Sequence, residues 1–197
     1  MIQIGAPLAR DFSDPLGVLS DCHRRIERFL GGLLQVVRQA AGGVMTREER
    51  EALEGGVRYF REAAPKHTAD EEESLFPRLR LSKDPAALDV LRIVDALEVD
   101  HRTAMQDHAR MEQLATSWIT AGRLSAESTR RLGEALGRLD LLYRRHIAIE
   151  DGEVFPSAAR MLDAASLGAI GAEMACRRGV VWPPNGGLPK REERSVR

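Results

Sequence analysis

One block of sequence occurs twice in this chain, and its repetition constrains the fold more than any other feature. The first copy reads His67-x-x-x-Glu71-x-x-x-x-Phe76-Pro77, and the second, 79 residues later, reads His146-x-x-x-Glu150-x-x-x-x-Phe155-Pro156. At an offset of 78 residues, His23-Arg24 also matches His101-Arg102. Each half of the chain therefore carries one isolated histidine and then one His-x-x-x-Glu pair, which is typical of an internally duplicated structure.

Helix signals divide the chain into four long segments. Start signals stand at Asp14-Pro15, Thr46, Asp84-Pro85 and Ser125, and stop signals at Gly42-Gly43 and Gly122. Between them, apolar residues recur in alternating steps of three and four, the period of an amphipathic helix. We expect Pro65 to kink the second helix and Pro77 to end it or bend it again, because proline lacks the backbone N–H that a helix interior needs.

These segments predict an all-α protein without a sheet. Short loops between long helices favour an antiparallel, up-down-up-down four-helix bundle. We predict one domain over residues 1–178, with its core at 14–162 and a short extra helix at 163–178. Residues 179–197, which combine proline, glycine and mixed charges, are expected to form an irregular tail.

Composition excludes several classes of protein. The chain has 29 Lys+Arg against 30 Asp+Glu, so no field of one sign favours nucleic acid or an anionic membrane. Its two cysteines form neither a disulfide framework nor a Cys-x-x-Cys motif. No apolar run is long enough for a membrane span or a signal peptide. We therefore expect a cytoplasmic protein that contacts neither nucleic acid nor membrane.

The histidines and the repeated glutamates occupy interior positions of the predicted bundle. In each His-x-x-x-Glu pair the two side chains lie on one face of a helix, one turn apart. Two buried carboxylates without a partner would each cost several kcal/mol, so a bound cation is the economical solution. Imidazole and carboxylate ligands suit two borderline transition metals better than Ca²⁺ or a structural Zn²⁺. The predicted ligands are His23, His67, Glu71, His101, His146 and Glu150.

This pattern resembles the hemerythrin-like, or HHE, cation-binding family over roughly residues 14 to 162. The resemblance implies a four-helix bundle with a non-haem pair of iron ions, bridged by oxo or hydroxo, with manganese or a mixed iron–manganese pair as the alternative. Carried over residue by residue, it implies His23 and His67 on one iron and His101 and His146 on the other. Glu71 and Glu150 would then bridge the two metals.

The chain departs from the oxygen-carrying hemerythrins in ways that bear on function. Those proteins have His-x-x-x-His on the third helix, whereas Met105 stands four residues after His101. They also have an aspartate five residues after the last histidine, whereas the predicted ligand here is Glu150, four residues after His146. One imidazole fewer leaves more open coordination positions, which favours reaction with a small molecule over reversible storage of O₂. The ferritin-like bundles use Glu-x-x-His, a different spacing.

Other residues near the motif have ordinary interpretations. We predict that His108, which has no counterpart in the repeat, is structural or supports the site from outside the ligand set, and that Asp70, Glu72 and Glu73 form a solvated acidic face. Tyr143 lies one turn before His146; it either packs in the core or approaches the metal and an incoming ligand. Cys22 should point about 100° away from His23 and is not expected to be a ligand.

Three functional hypotheses follow from the sequence. The first is a di-iron protein that binds O₂, peroxide or NO, with redox or detoxifying reactivity during oxidative or nitrosative stress. The second is a non-catalytic carrier or sensor of oxygen or iron, whose bundle is stabilised by metal. The third is a structural bundle that binds metal without a substrate. Only the first predicts turnover, as an oxidoreductase.

Overall fold

The computed structural model describes residues 11–183, and these are almost entirely helical. Among them there is no β-strand, as the sequence predicts. In chain order, the helices are α1 (Pro15–Ala40), α2 (Arg47–Glu62), α3 (Ala64–Asp70), α4 (Phe76–Arg80), α5 (Ala87–Ala121), α6 (Ala126–Ile149), α7 (Phe155–Met161) and α8 (Ala164–Arg177). Two five-residue π-helical turns, Glu71–Leu75 and Glu150–Val154, join α3 to α4 and α6 to α7.

Side-chain caps fix the starts of α1, α2 and α6 where the sequence predicts them, whereas α5 begins two residues after Pro85 and has no side-chain cap. The Asp14 carboxylate accepts a hydrogen bond from the backbone N–H of Gly17. Thr46 and Glu49 form the predicted reciprocal capping box, and the Ser125 hydroxyl accepts from the N–H of Ser128. Each cap satisfies a backbone donor that has no partner inside its helix.

The helix ends also follow the predicted signals. Gly122 caps the end of α5 with a φ of 72°, a left-handed conformation that glycine adopts without a steric penalty. At the end of α1 the left-handed cap is Ala41, immediately before Gly42. Helix α5 begins at Ala87, after a turn in which the Asp84 carboxylate accepts from the N–H of Ala86.

The prolines interrupt the second segment in two different ways. Helix α2 ends at Glu62 and α3 begins at Ala64, so Pro65 lies in a first turn, where its missing N–H is not needed. Pro77 does not end the helical course, although that is one of the two outcomes that the sequence predicts for it. It follows a π-helical turn in which the N–H of Phe76 bonds the carbonyl of Glu71. In the second copy of the repeat, Phe155 bonds Glu150 in the same way.

The proline of the repeated Phe-Pro accounts for the π-helical turns. A proline ring clashes with the carbonyl four residues earlier in a regular α-helix. One extra residue per turn relieves that clash and lets the helix continue through Pro77 and Pro156. As a result, Glu71 and Glu150 are each the first residue of a π-helical turn.

The long helices form the predicted bundle. Helix α1 packs on α2 and α6, and α5 packs on the same two helices, so that neighbours in sequence are neighbours in space. The buried apolar side chains fall into two clusters. One contains Leu33, Leu53 and Trp118, and the other contains Leu19 and Phe76. Along α1, His23 lies between Leu19 of one cluster and Ile26 of the other, so the predicted site separates the two.

Helix α8 packs across α1 and α3, as an addition to the bundle. A Cβ atom on Gly171 would lie 1.9 Å from the backbone oxygen of Phe12, so only glycine permits this close approach. From the end of α8, the guanidinium groups of Arg177 and Arg178 each donate to the carboxylate of Asp70, over 3.0 and 2.6 Å. The prediction of a solvated Asp70 is therefore wrong: its side chain is fully buried, because α8 brings two arginines to it.

Residues 184–197, which include most of the predicted irregular tail, lie outside the described part of the chain. The predicted domain limits therefore remain predictions. Among residues 11–183, no helix combines the length and the apolar character that crossing a bilayer requires.

Candidate metal centre

The six predicted ligands meet in the middle of the bundle, between the two apolar clusters. Five of them are at most 4% exposed, and the His101 side chain is 9% exposed. They come from α1, α3, α5, α6 and the two π-helical turns. The ligand candidates that the structure brings together are His23, His67, Glu71, His101, His146 and Glu150.

The six residues form two groups of four that share both glutamates. In each group the nearest ligand atoms all lie within 4.8 Å of one another. The first group is His23, His67, Glu71 and Glu150, and the second is His101, His146, Glu71 and Glu150. This grouping matches the pairing of histidines that the sequence resemblance implies.

Each glutamate directs one oxygen toward each group. Oε1 of Glu71 lies 3.2 Å from Nε2 of His67, while its Oε2 lies 3.5 Å from Nε2 of His101. Oε2 of Glu150 lies 3.1 Å from Nε2 of His23, while its Oε1 lies 3.2 Å from Nε2 of His146. A carboxylate whose two oxygens serve different groups is in the position of a bridging ligand.

The polar atoms of this site lack ordinary partners, which tests whether a cation fits. All four carboxylate oxygens of Glu71 and Glu150 are buried without a hydrogen bond of acceptable geometry, and so is Nε2 of His23. The Nε2 atoms of His101 and His146 lie 3.1 Å apart. Buried polar atoms without partners are costly. Ligand atoms that converge in this way fit a pair of metal ions with imidazole and carboxylate ligands.

Burial governs the ionisation of these groups. It lowers the pKa of His67 well below the usual value and also lowers the pKa of His101, so both imidazoles are neutral and free to act as ligands. Burial, together with the charge of Glu150, raises the pKa of Glu71 well above its usual value. Burial also acts to raise the pKa of Glu150, but the imidazoles of His146 and His23, whose Nε2 atoms lie 3.2 and 3.1 Å from its oxygens, outweigh burial and the pKa falls below the usual range.

Two acidic residues outside the ligand set hold the histidines in a crosswise arrangement. Nδ1 of His23, in the first half of the chain, donates to the carboxylate of Asp151 in the second half over 2.9 Å. Nδ1 of His101, in the second half, donates to Glu72 in the first half over 2.8 Å. Such bonds fix the tautomer and the ring orientation of a metal-binding histidine, so that Nε2 faces the site.

Sequence reasoning missed both outer carboxylates. The prediction of a solvated Glu72 is wrong, because Glu72 bonds His101 and is only partly exposed. Asp151 stands five residues after His146, where the oxygen carriers have their aspartate, yet here it bonds His23. The repeat carries a signal for them, since an acidic residue follows the glutamate in both copies.

The Nδ1 atoms of the other two histidines of the site make no hydrogen bond within the described part of the chain. Nδ1 of His146 lies 3.5 Å from a carboxylate oxygen of Asp100, which Arg145 also binds. Nδ1 of His67 is buried and has no hydrogen-bond partner among the described residues. The crosswise bonds therefore involve the isolated histidine of each half.

Tyr143 lies beside the second group. Its ring centroid is 6.4 Å from that of His146, and its hydroxyl is 2.8 Å from Nε2 of His108. Burial lowers the pKa of His108 to about 4, so this imidazole is neutral and can accept a hydrogen bond from the tyrosine hydroxyl. Tyr143 is thus packed with a partner for its hydroxyl and also adjoins the candidate site. The predicted structural role of His108 includes holding this hydroxyl.

An open cleft reaches the second group from the surface. It has a volume of about 410 Å³, and its lining includes the polar side chains of Glu72, His101, His108 and Tyr143. Met105, the residue that stands in place of a histidine, is 68% exposed and lines the cleft. His23 is fully buried, and its ring stacks on Phe155 at a centroid distance of 5.3 Å. Cys22 is buried but belongs to neither ligand group.

Comparison with known proteins agrees with this geometry. The chain is 28% identical over 169 residues to an uncharacterized protein of Haemophilus influenzae, an alignment that covers 86% of this chain and 92% of that relative. The family model described as the hemerythrin HHE cation-binding domain matches residues 14–158. These residues span the long helices, both π-helical turns and all six candidate ligands. The chain therefore belongs to the hemerythrin HHE cation-binding family.

Proposed function

We propose that this protein holds two iron ions in the centre of its bundle and binds O₂, peroxide or NO there, with redox or detoxifying reactivity. His23 and His67 would hold one ion, His101 and His146 the other, and Glu71 and Glu150 would bridge them. The observation that carries the proposal is the sharing of both buried glutamates by two groups of histidines. Manganese or a mixed pair would use the same ligands.

The surrounding residues prepare this site for a small molecule. When bound, iron would supply electron transfer and open coordination positions for the ligand. The outer carboxylates of Asp151 and Glu72 hold His23 and His101 in one orientation. Phe155 covers the first group, so the cleft directs an incoming molecule to the second group. There the Tyr143 hydroxyl, held by His108, is a candidate for a hydrogen bond to that molecule.

Met105 supports reactivity rather than storage. In the oxygen carriers that the sequence resembles, a histidine at this position would complete the ligand set. Here a thioether side chain that is mostly exposed stands in its place, so the second group has one protein ligand fewer. An open position at the end of a cleft is where substrate can bind a metal.

The test is a comparison of the iron-loaded protein with and without each ligand. After anaerobic iron loading, we expect about two irons per chain by elemental analysis, as the two ligand groups require. Absorption spectra would then be followed on addition of O₂, H₂O₂ or NO. Irreversible oxidation by O₂, or catalytic loss of H₂O₂ or NO, would support the proposal. A band that bleaches reversibly under vacuum would support the carrier instead, and one iron or none would contradict the bridged centre.

A further inference from the structure

The cleft beside the second group is much larger than the small ligands of the proposed function require. Its volume is about 410 Å³, whereas a molecule such as water occupies only about 30 Å³ in the liquid. Clefts of about 300–1,000 Å³ with mostly apolar walls are typical of sites for organic molecules. The size of the cleft therefore calls for an occupant with a carbon body.

The walls of the cleft are apolar along most of its length. The polar lining consists of the side chains beside the candidate metal centre together with Thr68, Arg102 and Glu112. Met105 contributes a flexible and polarizable side chain, which adapts to apolar ligands of different shapes. The apolar walls consist of Phe60, Ala64, Pro65, Ala104, Met105 and Ala109.

The polar groups that adjoin the centre suit a ligand with one terminal O–H group. The Glu72 carboxylate accepts hydrogen bonds and is partly exposed. The Tyr143 oxygen can accept a hydrogen bond while its O–H donates to His108, because a phenol both donates and accepts. A charged ligand fits less well, since the lining carries both acidic and basic groups.

We propose that this cleft binds a compact organic hydroperoxide, with its carbon body against the apolar walls and its O–H end beside Tyr143 and His101. The proposal rests on the proposed function, and it selects one substrate class from O₂, peroxide and NO. It concerns recognition by the chain's own residues, so binding can be measured separately from turnover.

Binding is tested with the iron-loaded, full-length protein and 2-phenyl-2-propanol, the stable alcohol that corresponds to cumene hydroperoxide. Equilibrium dialysis should show saturable binding of this alcohol. Ala109→Phe, which fills the cleft from an exposed helix position, should weaken binding at least about tenfold, a difference easily resolved in a dissociation constant. The matched control is Ala172→Phe on α8, also exposed and outside the cleft, which should bind as the unaltered protein does.

A second variant tests the proposal independently, in case Ala109→Phe does not fold. Met105→Glu places a charge in the apolar wall at a position that is 68% exposed, so the helix should tolerate it. It should also weaken binding of the alcohol, while circular dichroism shows unchanged helical content. If the unaltered protein does not bind the alcohol, or if both folded cleft variants bind it normally, the proposal is wrong.

A kinetic comparison links this site to the substrate class. Both assays are supplied with the same thiol reductant, whose two electrons convert cumene hydroperoxide to its alcohol and water, and H₂O₂ to water. Under these conditions the ratio of kcat/KM for cumene hydroperoxide to kcat/KM for H₂O₂ should fall in Ala109→Phe and stay constant in Ala172→Phe. An unchanged ratio in Ala109→Phe would contradict the proposal. Failure of the alcohol to bind, with H₂O₂ still consumed, would refute the cleft proposal alone. Binding of the alcohol without any reaction of peroxide, O₂ or NO would refute the proposed function alone.

Discussion

The two groups of the candidate metal centre have similar ligands but different surroundings. Each group contains two histidines and shares the same two glutamates, and in each group one histidine bonds an outer carboxylate. The first group is covered by Phe155, and α8 packs over the helices that carry its histidines. The second group opens to a cleft. Internal duplication thus explains the symmetry of the ligands. The two groups differ in their surroundings, because α8 packs over the first and a cleft lined by Met105 and His108 adjoins the second.

The difference in access between the two groups has a local cause on α5. His108 and Met105 both line the cleft, and the resemblance of the two halves does not extend to them. At the offset that aligns His101 with His23, the residue that matches His108 is Leu30, which is buried in the apolar core. In the second half of the chain, His108 and its partner Tyr143 therefore stand where the first half has the apolar packing of Leu30.

The largest expected effect comes from a shared ligand, because it belongs to both groups. Glu71→Ala should remove one bridging carboxylate and lower metal affinity by more than about 100-fold, since even outer-sphere substitutions cost about 10–100-fold. Elemental analysis after anaerobic iron loading measures the change. Metal content equal to that of the unaltered protein would contradict the bridging role of Glu71.

The outer carboxylates test whether the two groups are equivalent. Asp151→Asn should weaken the first group and Glu72→Gln the second, each by about 10–100-fold in metal affinity. Titration with metal and chelator competition would compare them. Glu153→Gln, at an exposed position of the second π-helical turn, is the matched control and should bind metal normally. A loss in only one of the two variants would show that the crosswise bonds are not equivalent.

The packing of α8 over the helices of the first group can be weakened by a substitution outside the ligand set. Gly171→Ala places a methyl group against the Phe12 backbone and should destabilise the protein by about 1–3 kcal/mol, the usual cost of overpacking. Chemical denaturation measures the free energy of unfolding. In Gly168→Ala the added Cβ meets no atom within 4 Å, so this control on the same helix should be as stable or slightly more stable. Equal effects of the two substitutions would refute tight packing at Gly171.

The smallest effect is expected at Tyr143, which lines the cleft beside the second group. Tyr143→Phe removes the hydroxyl that bonds His108 and should lower the free energy of unfolding by about 1 kcal/mol, the net value of one hydrogen bond. Metal content should not change, because Tyr143 belongs to neither ligand group. A loss of metal in this variant would mean that the second group is larger than the four residues assigned to it.

Sequence reasoning could predict the bundle and the central residues because both depend on local periodicity. Caps such as Asp14 and Thr46 marked the helix starts, and the His-x-x-x-Glu spacing placed each pair on one face. The structure brings all six predicted ligands together in two groups. That these groups hold iron, and two ions of it, stays a prediction.

The sequence could not predict the acidic residues around Glu71 for two physical reasons. An ideal α-helix turns by about 100° per residue, and on that basis Glu72 should face solvent. The π-helical turn that begins at Glu71 changes the direction of the residues after it, and Glu72 reaches His101. The partners of Asp70 come from α8, more than 100 residues away, and no local pattern indicates them.

The crosswise hydrogen bonds make each hairpin dependent on the other. The histidine of α1 is oriented by a carboxylate that follows α6, and the histidine of α5 by a carboxylate that follows α3. A single hairpin contains every kind of residue that the centre uses, yet it cannot arrange them alone. It would assemble a complete centre only by pairing with a second copy of itself. In the present chain both hairpins belong to one polypeptide, so each supplies the carboxylate that orients the histidine of the other.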